Sequence, residues 1–126
     1  MPTFTSATPA LALAVFLFCT ALAHFAFPAY FRTLVPVWLP SPAIIVAVSA
    51  LAELAVAGLL FASVTRVAGG WAAVALITGF QVSHLDAARH TGSATRWLDT
   101  AWGVAARLAV NTAYVAWALA VVAAGT

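Results

Sequence analysis

Long stretches almost free of charge leave this chain few ways to fold. Between residues 9 and 61 the only formal charges are Arg32 and Glu53. Apolar runs at about 9–27, 43–61, 71–87 and 98–124 are each long enough to cross a hydrocarbon core as a helix. An apolar share of 65%, 6% charged residues and a mean hydropathy of +1.08 exclude an ordinary soluble domain. The expectation is an all-α, integral membrane four-helix bundle, a single transmembrane domain over residues 1–126 placed in a bacterial cell membrane.

The net charge of +2 rests on five arginines and no lysine. They flank apolar helices rather than forming a basic face, so nucleic acid is not an expected partner. Cys19 is the only cysteine. An intrachain disulfide, a redox pair and a thiolate metal site are thereby excluded. Inside the first run Cys19 reads as a small buried hydrophobe. Ala21-Leu22-Ala23 fits a signal-peptide cleavage pattern, yet residues 1–10 carry no Lys or Arg, so an uncleaved membrane helix is expected.

The first run ends at Pro28, which disfavours helical geometry at Phe27. The connection 28–42 holds Pro28, Pro36, Pro40 and Pro42 with Tyr30, Phe31 and Trp38 among them. Prolines break helix and aromatics suit the headgroup level, so this segment is expected along the membrane interface. In the second run Ser49, Ala50, Ala57 and Gly58 surround Glu53 with small residues that permit close helix approach. A turn bearing Arg66 leads to the third run, whose last third carries Gln81 and His84 on one face. Residues 88–97 are the one hydrophilic stretch, with Asp86 set to pair locally with Arg89 or His90. In the fourth run Arg107, Asn111 and Tyr114 recur at i, i+4, i+7 and share a face. The tryptophans at 38, 71, 97 and 102 fall at span ends and read as interface anchors, and Trp117 as a packing residue.

Four spans put the connection 28–42 and the loop 88–97 at one end, with both termini and Arg66 at the other. Arg32, Arg89 and Arg96 against Arg66 then orient that first end to the cytoplasm.

Glu53 lies about 16 Å and Arg107 about 13 Å in from that end, at about 1.5 Å per residue. A carboxylate at that depth needs a partner, and the two long side chains can meet. His24, Gln81 and His84 fall in the same half of the membrane. Two readings follow: a polar network that fixes helix packing, or a polar-floored pocket for a small hydrophobic or amphipathic ligand. Haem or metal held by His24, His84 and Glu53 is disfavoured, because no second ligand set exists and Glu53 is deeper than the histidines. No nucleophile arrangement, phosphate loop or paired carboxylates is present.

Several motifs together resemble the DoxX family, specifically its short DoxX-like group, over about residues 20–119. They are ALAHFAFPAYFRTLVPVWLPSP (21–42), VSALAELAVAGLLF (48–61), Gly79-Phe80, and RLAVNTAYVAWAL (107–119). Within them the His24-Phe25 pair, the spaced prolines, Ser49-x-x-x-Glu53 and Arg107-Leu108 match the group's pattern. Where that group often has Phe-Pro-Ala-Asn, this chain has Phe80-Gln81-Val82-Ser83 and then His84. Where Pro and Gln are usual, it has Ala109 and Asn111. The resemblance implies a four-helix membrane bundle and, loosely, association with membrane redox, stress-defence or assembly complexes, some of them quinone-linked.

The first functional expectation is therefore a non-catalytic accessory or assembly subunit of a membrane complex, with the lipid bilayer and a membrane protein or a second copy as partners. The alternative is a bundle that binds a quinone, lipid or other hydrophobic molecule at a Glu53–Arg107 pocket. A third reading is an enzyme using Glu53 with a histidine as an acid–base pair. No cofactor is expected from the residues themselves; a quinone enters only through the resemblance.

Overall fold

A computed structural model describes residues 4–125. Its helices are α1 (Phe4–Ala26), α2 (Pro28–Arg32), α3 (Pro42–Phe61), α4 (Arg66–Ala87) and α5 (Ala101–Ala124), and no strand occurs among the described residues. Four of them are long and apolar enough to cross a membrane, while α2 is a single short turn in the connection. The protein is an all-α four-helix membrane bundle.

Local chemistry sets the boundaries. Phe27, ahead of Pro28, leaves helical geometry at φ −127°, ψ 54° and ends α1. Pro28 and Pro42 then stand in the first turns of α2 and α3, where a missing N–H is no loss. Ser41, between two prolines, takes a left-handed conformation (φ 52°) that turns the connection into α3. The Thr100 hydroxyl accepts from the Gly103 N–H and caps α5. Gly125, at φ 70°, closes its far end.

The long helices form a ring: α1 packs on α3, α3 on α4, α4 on α5, and α5 returns to α1. The core fills the half of the bundle nearest the termini. It joins Leu13 and Leu17 of α1, Val56 and Leu60 of α3, Ala73 and Ile77 of α4, and Ala118 and Val121 of α5. Close approaches between the long helices occur at Gly69 and Gly70. A Cβ on Gly69 would lie 2.8 Å from the Leu60 nitrogen, and one on Gly70 2.8 Å from a Val122 methyl. Small residues thus let α4 seat against α3 and α5.

Several expectations shift here. The third span begins at Arg66 instead of 71, and the fourth at Ala101 instead of 98. Arg66 is buried, not a loop charge: its Nε and Nη2 donate to the carbonyls of Leu60 and Phe61 at 2.9 Å, satisfying the end of α3. Gly58 faces open space, so the close approach expected there is made by Gly69 and Gly70. Cys19 is exposed on the outer face of α1, not buried.

Candidate functional site

Towards the connector the same helices stop filling the space between them. A cavity of about 510 Å³ opens there, walled almost wholly by carbon. Thr20, Ala23 and His24 of α1 line one side, and Val46, Ser49 and Glu53 of α3 the next. Ile77, Gly79, Phe80 and His84 come from α4, and Asn111 and Tyr114 from α5. Phe31, Leu34, Pro36 and Leu39 of the connection lie across it.

Glu53 is the most buried charged residue described, at 2% exposure. One carboxylate oxygen, Oε2, meets the Thr20 hydroxyl at 2.6 Å. The other, Oε1, lies 3.1 Å from His24 Nδ1, yet makes no hydrogen bond of acceptable geometry. The reason is that Nδ1 faces the Thr20 carbonyl at 2.7 Å. A carbonyl only accepts, so Nδ1 carries the hydrogen and directs it there. The imidazole is held flat against Phe31, with ring centroids 3.9 Å apart. Thr20 sits one turn before His24 on α1, which is how a single helix face brings both to Glu53.

A second cluster crosses between α4 and α5. Asn111 Nδ2 donates to the Ile77 carbonyl (3.1 Å) and to Gln81 Oε1 (2.9 Å), and Gln81 Nε2 donates to the Thr112 hydroxyl at 2.9 Å. Asn111 donates to Gln81 and Gln81 donates onward to α5, so this pair reads as a clasp between two helices. Tyr114 turns instead to Phe16, with centroids 4.6 Å apart. Trp117 packs on Phe16 and donates to the Pro9 carbonyl at 2.9 Å.

The third cluster gathers at the connector end around Arg107. Its Nη1 donates to Asp99 and to the Leu98 carbonyl, both at 3.1 Å, and its Nε to His84 Nδ1 at 3.1 Å. A guanidinium only donates, so His84 accepts at Nδ1 and keeps its hydrogen on Nε2. Arg96 links Asp99 to Thr33 and stacks over Tyr30 at 5.2 Å. Trp38 donates to Asp86 at 3.1 Å, which leaves His90 only a distant contact with that carboxylate at 3.9 Å. Thr33, Asp86, His90, Arg96, Asp99 and Arg107 border a smaller, polar cavity of about 340 Å³, and Leu34, Val35 and Ser83 form a wall common to both. The Ser83 hydroxyl donates to the Leu34 carbonyl at 2.5 Å and pins that wall.

The seven residues singled out from sequence therefore occupy one half of the bundle but not one constellation. Glu53 joins His24; Gln81 joins Asn111; Arg107 joins His84; Tyr114 lines the cavity. The anticipated Glu53–Arg107 pairing is not made. Because α5 starts at Ala101, Arg107 is only about 9 Å into its helix while Glu53 is about 16 Å into its own. The long arginine side chain reaches back towards the polar end instead. Sequence reading missed Thr20 and Asp99. Thr20 was legible as the position four before His24, and Asp99 as the acid nearest Arg107 in the chain. Among the described residues no group of three His, Cys, Asp or Glu is placed to hold a metal ion.

A family model described as a domain of unknown function (DUF8561) matches residues 13–122, and the chain belongs to that family. No curated protein and no solved structure matches it.

Proposed function

We propose that this protein is a membrane-embedded binding bundle that holds a hydrophobic small molecule, such as a lipid or a quinone-type ring, in the cavity between its spans. One observation carries the reading: about 510 Å³ of carbon-walled space ends on a deeply buried carboxylate with one oxygen lacking a hydrogen bond. Ligand sites are commonly hollows of about 300–1,000 Å³ with few polar groups. A helix pair that needed Glu53 only for packing would close around both of its oxygens, as α4 and α5 close around Gln81 and Asn111.

The test is to purify the protein in mild detergent, extract it, and identify retained hydrophobic molecules by mass spectrometry beside Ser49→Leu. Ser49 lines the cavity one turn from Glu53, so leucine there occupies ligand space. Retention by the native protein and loss in the variant supports the reading. Equal retention by both contradicts it.

A second reading, the accessory subunit, is favoured by one feature of α1. Leu11, Val15, Phe18, Leu22 and Phe25 recur at alternating four- and three-residue steps, all exposed, a seam that suits a partner helix. Co-purification of a defined membrane partner, lost on Phe18→Ala with Leu22→Ala, would favour it.

A further inference from the structure

One polar atom at the cavity's deepest point, Glu53 Oε1, is left without a hydrogen-bond partner, and that bears on what can occupy it. The Thr20 hydroxyl engages Glu53 Oε2 at 2.6 Å and the Leu17 carbonyl at 2.9 Å. Whichever of Thr20 and Oε2 supplies the hydrogen between them, Oε1 remains an oxygen with lone pairs and no donor. His24 Nδ1 lies 3.1 Å from Oε1 but is committed to the Thr20 carbonyl, to which it directs its hydrogen, so it does not pair with that oxygen. The aromatic rings of Phe16, Phe31, Phe80 and Tyr114 stand around these atoms.

We infer that the cavity selects an apolar, ring-bearing molecule whose head group is a hydrogen-bond donor without negative charge: a phenol, a hydroquinone or an alcohol. This rests on the binding reading above and deepens it. An anionic head group has no hydrogen to give Oε1 and would be repelled by Glu53 whenever it is ionised, and a head that only accepts would leave Oε1 unpaired. Of a quinone couple, the oxidised ring offers two carbonyls and fits poorly. The reduced ring offers hydroxyls and fits.

Three probes of one shape separate these cases: 4-octylphenol, its methyl ether 4-octylanisole, and 4-octylbenzoate. Binding of each to the intact chain in detergent is read by native mass spectrometry across a concentration series, with Glu53→Gln and Ser49→Leu in parallel. The expected result is a one-to-one phenol complex at least about tenfold tighter than the anisole or the benzoate, the size of one buried hydrogen bond. Glu53→Gln, whose amide can offer an N–H to an ether oxygen, narrows the phenol-to-anisole ratio to within about threefold. The anisole or benzoate binding as well as the phenol to the native chain, with all three weakened by Ser49→Leu, overturns the donor inference while leaving the binding reading intact. Failure of all three probes, or indifference of all three to Ser49→Leu, overturns both. The native-chain ranking decides the matter even where a variant does not fold.

Discussion

The two ends of the bundle are made from the same four helices, and one is solid where the other is hollow. At the terminal end, Gly69, Gly70 and Ala73 bring α4 close to its neighbours, and leucine and valine fill what remains. At the connector end, Phe31 and Phe80 line a cavity whose walls also include the small residues Ala23, Ser49 and Gly79. The polar groups follow the same division. Arg66, at the solid end, spends its donors on backbone carbonyls, whereas Glu53, at the hollow end, retains an oxygen with no hydrogen bond. Helix packing in lipid gains little from burying carbon alone, so a void is tolerated where something else fills it.

If that contrast is right, substitutions at the two ends should separate stability from binding. The largest loss is expected from Gly69→Val, whose side chain meets the backbone of α3 at 2.8 to 2.9 Å. Overpacking against backbone should cost about 3 kcal/mol, read as a lower unfolding midpoint in detergent; an unchanged midpoint would mean that the solid end is not closely packed. Arg66→Met should follow, at about 2 kcal/mol, because it frees the carbonyls that end α3 while keeping the bulk. Asn111→Leu removes the clasp to Gln81 and the Ile77 carbonyl and should cost about 1 kcal/mol, seen in the same melt. The smallest change in stability is expected from Ser49→Leu, under about 1 kcal/mol in either direction, since its new carbons enter empty space. That variant alone should lose bound ligand with its fold intact. A large loss of stability there would show that the cavity is smaller than the structure makes it.

Much of this was legible in the chain and some was not, for definable reasons. The spans follow from long uncharged runs, and the break at Phe27-Pro28 from proline sterics. That His24, Glu53, Gln81, His84 and Arg107 share one half of the membrane follows from counting residues from the span ends. Which of them meet does not. Pairing depends on where each helix begins, and an error of three residues at Ala101 moved Arg107 by about one turn, from Glu53's level to that of Asp99. Rotation about each helix axis was equally hidden. All four spans are apolar nearly all round, so no stripe marks which face of α1 turns inward, and Cys19 was read as buried when it faces out. The cavity was hidden most deeply, because a void is a property of four helices at once. Gly79 and Ser49 are ordinary small residues until Phe80 and Phe31 stand beside them.

The most direct measurement is an experimental density map of the protein in lipid nanodiscs at a resolution that shows side chains. The account predicts ring-like or elongated density between Phe31, Phe80 and Ser49, with a head group within hydrogen-bond reach of Glu53 Oε1, and no such density in Ser49→Leu. Phe31, Phe80 and Tyr114 folded inward to fill the space, with Glu53 fully bonded to protein, would contradict it.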